Sequence, residues 1–320
     1  MRQAGRYQAS YRAIRKQVAF FDLCKTPELA ARVTVDAVEQ LAVDAAIIFS
    51  DILVAVEAMG APVQLTEQGP KLESPLRCMA DVEALRVPDP VQSVPFLLEA
   101  VRQARRALDG VVPLIGFAGA PLTLASYLVE GGHSKNFEQL KRLLLCQPDA
   151  AHALLDRLAR TVTLQLQAQV EAGCQAVQLF DSWAGILSPA DYREFALPYT
   201  RRIFDELKPL GVPRIHFATC ASTLLEAMAE TGAEVLGVDW RVNLSEARDR
   251  LGPDVTLQGN LDPACLFLDE ERLEQRIAQV LQSGAGRRHI FNLGHGVLPG
   301  TEEARARFVV QAVHRLGRPA

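Results

Sequence analysis

The stretch Ala176-Val177-Gln178-Leu179-Phe180-Asp181-Ser182-Trp183 decides the fold class. An apolar run ends on a polar tip, and a helical pattern then opens at Ser188-Pro189-Ala190-Asp191. The same order recurs along the chain. The runs are Val43–Ser50, Val112–Gly119, Ala176–Ser182, Arg214–Thr219, Val235–Trp240, Val255–Asn260 and His289–His295, with Val63–Thr66 as a weaker eighth. Near-continuous apolar runs without strict alternation suit strands buried on both faces, as in a parallel sheet. Seven or eight such β/α units in 320 residues predict an α/β fold, a (β/α)8 TIM-type barrel forming one domain over residues 1–320. A doubly wound open sheet would need a Gly-rich dinucleotide turn after the first strand, and Phe49-Ser50-Asp51-Ile52-Leu53 has no glycine.

Helix starts support the alternation. Thr26-Pro27-Glu28, Ser188-Pro189 and Asp262-Pro263 each set a capping side chain before a proline at the first helical position. Leu154, Leu155, Leu158, Val162 and Leu166 recur at three- and four-residue steps, the mark of one buried helix face.

Composition narrows the function. Hydrophobic residues make up 49% and charged residues 22%, so the core needs no covalent staple. A net charge of −4 argues against a nucleic-acid partner, yet leaves room for a local arginine cluster that takes an anionic small molecule. Cys24, Cys78, Cys146, Cys174, Cys220 and Cys265 form no CxxC pair. They are expected to be reduced thiols buried as small hydrophobes, with no disulfide and no metal site. The N-terminus lacks a signal-peptide run. The uncharged stretch Gly110 to Val129 contains Pro113, Gly116, Gly119 and Pro121, which fits strand, turn and helix start better than a membrane span. A cytoplasmic protein without membrane association is expected.

In a barrel of this kind the strand C-termini line the active site. Here they read Ser50-Asp51, Gly119-Ala120-Pro121, Asp181-Ser182-Trp183, Asp239-Trp240, Gln258-Gly259-Asn260 and Asn292-Leu293-Gly294-His295-Gly296. Asp51 reads equally as a helix cap or as an anion in a site. The opening segment adds Arg2, Arg6, Arg12 and Arg15, with Gln3, Tyr7 and Tyr11 between them. Gly5 beside two arginines suits a loop that meets a ligand closely, and arginine suits bidentate carboxylate capture. A solvated basic face at a mobile terminus is the other reading.

Met1-Arg2-Gln3-Ala4-Gly5-Arg6-Tyr7 resembles the signature that opens the uroporphyrinogen decarboxylase family. The segments Asp44–Leu53, Pro113–Pro121, Tyr127–Gly132, Gln178–Ser182, Leu257–Pro263 and Asn292–Gly296 follow in that family's order. The resemblance implies a (β/α)8 barrel, usually a homodimer with facing clefts. The implied activity is that of a carbon–carbon lyase, without cofactor or metal, in tetrapyrrole and haem biosynthesis. Its substrate is uroporphyrinogen III, whose four acetate carboxyls are removed to give coproporphyrinogen III. Carried over motif by motif, Arg2, Gln3, Arg6 and Arg15 bind substrate carboxylates. Phe49 packs on the macrocycle, Asp51 accepts its pyrrole N–H groups, and Tyr127, Ser182 and His295 complete the polar contacts. Asp51, Arg2 and Tyr127 are the implied catalytic groups.

Several features depart from the family. Its members carry a further segment ahead of the Arg-Gln-Ala-Gly-Arg motif, which begins here at residue 2, so either the start codon lies further upstream or the chain is genuinely short. Phe217-Ala218-Thr219-Cys220-Ala221-Ser222 replaces a Lys-Gly type loop, Gln8-Ala9-Ser10 replaces a Leu-Pro-Glu type stretch, and Leu122 replaces a common tryptophan. A methyltransferase branch of the same superfamily holds zinc through His-x-Cys, but Ala218 stands two residues after His216. Two alternatives remain at this point: a corrinoid-dependent methyltransferase, and an inactive paralogue that only binds porphyrins.

Overall fold

The structure is a computed structural model that describes residues 3–66, 69–132, 134–284 and 288–317. In chain order its strands are β1 (Ala46–Ile47), β2 (Val63–Thr66), β3 (Gly69–Leu72), β4 (Leu114–Gly119), β5 (Ala176–Asp181), β6 (Arg214–Ala218), β7 (Val235–Gly237), β8 (Thr256–Leu261) and β9 (His289–Leu293). Seven of them form one parallel sheet in the order β1-β4-β5-β6-β7-β8-β9, joined by helical crossovers. Each of the seven clear apolar runs supplies one of these strands, as a β/α barrel requires. The tempting uncharged stretch resolves into β4 and the helix Pro121–Glu130. Among the described residues no helix is long and apolar enough to cross a membrane.

The eighth candidate falls elsewhere. Val63–Thr66 pairs antiparallel with Gly69–Leu72, with Thr66 opposite Gly69, in a separate two-stranded ribbon. Its partner is the next segment of chain, so pairing there closes a far shorter loop than joining the barrel would. The ribbon is tied down by the amide of Leu72, which donates to Gly131 O at 2.9 Å.

Side chains sort by strand parity. Val177 and Leu179 of β5 face outward and share a fully buried cluster with Leu154, Leu155, Leu158, Val162 and Leu166 of the helix Pro148–Ala172. That is the stripe the sequence predicts. Each such leucine contributes about 1.5–3 kcal/mol relative to exposure. On the inner face, Phe117, Phe180 and Phe217 meet edge to face, with ring centroids 5.6 and 5.9 Å apart. They form an aromatic layer across β4, β5 and β6. One step lower, Ile115, Gln178 and Ile215 line a cavity of about 1330 Å³ in the N-terminal half of the barrel.

That cavity opens at a seam. β1 and β9 are the two ends of the sheet order and are not hydrogen-bonded to each other. Ile290 of β9 is 42% exposed, unusual for a strand in a parallel barrel. Gln3 occupies part of the gap: its Nε2 donates to Ala45 O at 2.6 Å and its Oε1 accepts from Ile47 N at 3.0 Å. These are the two bonds that one residue of a parallel neighbour would make around Ala46. Tyr7 locks the segment by donating its hydroxyl to Gln3 O. Gln169, fully buried, does the same for Phe117, accepting from its N–H at 2.9 Å and donating to its carbonyl at 3.0 Å.

Some local expectations need correction. Thr26 does not cap its helix; its hydroxyl donates back to Asp22 O at 2.7 Å in the preceding turn. Ser188 and Asp262 do accept from helical amides, although Asp262 opens a 3-10 turn (Pro263–Phe267). The cysteines are free, but only Cys24 and Cys174 are buried, while Cys78, Cys146 and Cys220 are exposed. Each of these three lies next to a chain turn or helix end, where nothing packs over it.

Two predictions follow from the seam. Gln3→Ala exposes the edge of β1 and should lower stability by about 1–2 kcal/mol in urea unfolding, with faster exchange of the Ile47 amide. His289, at the start of β9, donates Nε2 to Gly259 O at 2.9 Å, and burial holds its pKa below the ordinary value. The folded state therefore favours neutral imidazole. Its contribution is full above the unfolded pKa, near 6.5, and is lost as pH falls through that value toward the folded one. Unfolding free energy should fall between pH 7 and pH 5, and fall less in His289→Gln, which keeps a donor for Gly259.

Candidate active site

The tips of the parallel strands gather the polar residues at one end of the barrel, as this architecture dictates. Asp51 follows β1 and is half-buried. Its Oδ1 accepts from Leu53 N at 2.8 Å, turning the chain into the helix Val54–Ala58. The helix-start reading of Asp51 is therefore realised by one oxygen. It also fixes the plane of the carboxylate, which a substrate contact would need. Gly119, at the end of β4, allows this turn to lie close: a Cβ there would sit 3.2 Å from Ile52 and 2.7 Å from Leu124.

Two cationic residues, Arg15 and Lys25, lie near Asp51 through the environment of Cys24. Burial pushes this thiol up, the Asp51 carboxylate pushes it further, and Arg15 and Lys25 oppose both. Arg15 donates to Val18 O and lies 5.7 Å over the Phe20 ring. Tyr11 is raised chiefly by burial, and Arg15, hydrogen-bonded to it, and Arg6 pull it back down. The Tyr11 and Phe20 rings both stand edge-on to Phe49, at 5.7 and 6.1 Å. Arg15, Phe49 and Asp51 thus belong to one neighbourhood, with Arg6 acting on Tyr11 at its edge. The turn over residues 4–8 precedes the helix Ala9–Arg15 and leaves Arg6 exposed. Gln3 sits lower, committed to β1, and Arg2 lies outside the described residues.

Across β4 and β5 the tips are tied by a different set. Thr123 donates its hydroxyl to Asp181 Oδ1 at 2.9 Å and accepts from Trp183 N at 3.3 Å. Thr219, after β6, donates to the carbonyl of Ser182. Ser182 is thereby held by its neighbours in the chain and by the next strand. Tyr127, on the helix Pro121–Glu130, stands edge-on to Trp183 at 6.4 Å, and Phe137 backs Trp183 at 5.1 Å. Asp181 is fully buried, its Oδ2 has no hydrogen-bond partner among the described residues, and His216 Nε2 lies 3.9 Å away, too far to serve. His216 itself faces the helix layer, edge-on to Phe204.

The β7 tip carries the tightest polar knot. Asp239 is 3% exposed; its carboxylate accepts from Cys220 N at 2.6 Å, Arg241 N at 3.0 Å and Arg241 Nη1 at 2.6 Å. Asn260 Nδ2 bonds Asp239 O and Val242 O at 2.9 and 2.6 Å. Gly294 packs flat on this tip, since a Cβ would stand 2.8 Å from Trp240 N. His295 follows directly, half-buried. Sequence reading named Asp239 and Trp240 as a tip but missed Arg241, Thr123 and Gln169. Arg241 was legible as the next residue of that tip; the other two sit on helices, where nothing in the pattern marks them. Among the described residues no three His, Cys, Asp or Glu side chains group as a metal site.

A parallel β/α barrel with a polar ring at its strand C-termini is the plan of a barrel enzyme. The chain belongs to the uroporphyrinogen decarboxylase (URO-D) family, whose model matches residues 1–316. It is 54% identical over 317 residues to the uroporphyrinogen decarboxylase of Myxococcus xanthus, covering 99% of this chain and 91% of that one. It is 50% identical over 319 residues to that of Geobacter metallireducens, covering 99% and 94%. Among solved structures it is similar to a methyltransferase from Methanosarcina mazei, with TM-score 0.79, 22% identity, and 92% and 87% of the two chains covered. That likeness carries the fold alone.

Thr123→Val keeps the shape but leaves the buried Asp181 without the hydroxyl it accepts from. It should cost about 1.5–3 kcal/mol, read by thermal unfolding, and should blue- or red-shift Trp183 emission as the tip loosens.

Proposed function

We propose that this chain is a uroporphyrinogen decarboxylase, a carbon–carbon lyase that converts uroporphyrinogen III to coproporphyrinogen III in tetrapyrrole and haem biosynthesis. The observation that carries the reading is the similarity to enzymes of that name along 99% of the chain, at about half identity. The site geometry is compatible with it. The Asp51 carboxylate, held through Oδ1 by Leu53 N, lies in a neighbourhood shared with Arg15 and Phe49.

In this reading each turn replaces a CH2–CO2− arm by CH3, taking up one proton and releasing CO2. Protonation of the pyrrole α-carbon makes the ring cationic. The electron pair of the breaking C–C bond flows into that ring, the methylene carbon takes a proton, and the α-proton leaves. The substrate is its own electron sink, so no step calls for a cofactor. Asp51 accepts pyrrole N–H groups and stabilises the cation, and its charge is worth most in a site that excludes water. Arg2, Arg6 and Arg15 hold substrate carboxylates, and Gln3, beside them in sequence, anchors the segment that presents them. Phe49 packs on the ring; Tyr127, Ser182 and His295 complete the polar contacts. Arginine is a poor proton donor, so its part is positioning. The enzyme works as a cytoplasmic homodimer.

The test is anaerobic incubation of the purified protein with uroporphyrinogen III, then oxidation and separation of porphyrins by carboxyl number. Products with seven down to four carboxyls are expected. No conversion, with porphyrin still bound, would favour a binding-only paralogue. Asp51→Asn keeps an acceptor for Leu53 N but removes the charge. Turnover should drop about 10²–10³-fold with the melting temperature unchanged; full activity would remove Asp51 from the mechanism.

A further inference from the structure

The β7 tip holds a cation that the site described above does not use. Arg241 is 43% exposed at its side chain, although its guanidinium is fixed on two sides. Its Nη1 donates to the buried Asp239 carboxylate at 2.6 Å, and its Cζ lies 4.3 Å over the Trp240 ring. The anchor beneath it is itself rigid. Asp239 is held by the Cys220 and Arg241 amides, and its carbonyl by Asn260. Gly294 closes against Trp240, so Arg241 and the half-buried His295 belong to adjoining tips.

A surface arginine normally loses about 2 kcal/mol of rotamer freedom when it captures an anion. Here the stack and the ion pair have already set the plane, and only one of five N–H groups is spent on Asp239. What remains is a half-exposed fork at the mouth of the barrel, suited to a planar, bidentate anion. A solvated ion pair would not need a carboxylate this deeply buried, with three donors, to hold it. In sheet order β7 lies four strands from β1 and only two from β9. Arg241 therefore serves a different part of a large ligand from the Asp51 neighbourhood.

We propose that Arg241, stacked on Trp240 and braced by Asp239, is a carboxylate-binding position for a propionate arm of the macrocycle, one that is retained through all four decarboxylations. This rests on the function proposed above. A contact made equally in ground state and transition state lowers KM without raising kcat. Removing it should therefore raise KM and leave kcat alone. Because the arm is never consumed, the effect should be the same for the eight-carboxyl substrate and the five-carboxyl intermediate.

The experiment compares wild type, Arg241→Gln and Arg241→Ala. Arg241→Gln retains a planar donor for Asp239 and should fold normally. KM for uroporphyrinogen III is expected to rise about ten-fold in both, with kcat within two-fold and the melting temperature of Arg241→Gln unchanged. The dissociation constant for coproporphyrin III, followed by fluorescence, should rise by a similar factor. Binding of its tetramethyl ester should not change. Unchanged KM and unchanged coproporphyrin affinity in folded Arg241→Gln would overturn the proposal, as would a loss seen only in melting temperature. A loss that fades as acetates are removed would also overturn the propionate assignment. If wild type binds coproporphyrin but converts nothing, the decarboxylase reading fails while the binding comparison still decides on Arg241.

Discussion

Everything in this barrel depends on where the main-chain hydrogen bonds of the strand edges go. A parallel strand presents N–H and C=O groups along both sides, and burying any of them unpaired costs about as much as a lost hydrogen bond. From β4 to β9 each strand supplies the next with partners in an unbroken register. β1 pairs with β4 at only two positions, Ala46 with Leu114 and Ile47 with Ile115. Beyond them side-chain amides substitute for a strand: Gln169 on Phe117, and Gln3 on the open edge of β1. Thr34 extends the pattern by accepting from Phe49 N at 2.9 Å. The residue two places on is Asp51. The aim of that carboxylate is thus set by borrowed hydrogen bonds on the short strand that leads to it.

The register also determines what the mouth contains. Inner-face residues follow one another up each strand: Ile115, Phe117 and Gly119 on β4, Gln178, Phe180 and Ser182 on β5, and Ile215, Phe217 and Thr219 on β6, with Phe117 opposite Gln178 and Gly119 opposite Phe180. The aromatic layer lies between the large lower cavity and the polar tips. The cavity is large, but its lining is mainly apolar and it opens at the seam between β1 and β9. The carboxylates Asp51, Asp181 and Asp239 gather instead at the tips, with Arg241 held among them.

Much of this was legible in the sequence because the governing pattern is short-range. A buried parallel strand must be apolar on both faces, and its end must turn polar to meet water. Val235-Leu236-Gly237-Val238-Asp239-Trp240 therefore announces both the strand and its tip. Asp51 stood out for the same reason. What stayed illegible were the long-range braces. Gln169 looks like any polar residue on a long helix, yet it is fully buried because β4 needs its amide. Val63–Thr66 misled because strand propensity says nothing about which partner is nearer. Cys220 and Cys78 were expected inside, but composition cannot say which side of a turn a thiol will face.

Neighbouring tips are coupled pairwise by contacts that tolerate no extra atoms. Gly119 admits Ile52, Thr219 binds the carbonyl of Ser182, Cys220 N binds Asp239, and Gly294 lies on Trp240. Such a chain of close contacts holds a ring of side chains in fixed relation without any one loop being long. It also explains why the altered 217–222 loop is compatible with an intact mouth. The lysine of the related motif is gone, but this loop's backbone still supplies Thr219 to Ser182 and the Cys220 amide to Asp239. Those bonds need a hydroxyl and an N–H, and only the first depends on side-chain identity. The same Asp239 that the loop braces also holds Arg241 on the adjoining tip, so loop and tip share one buried carboxylate.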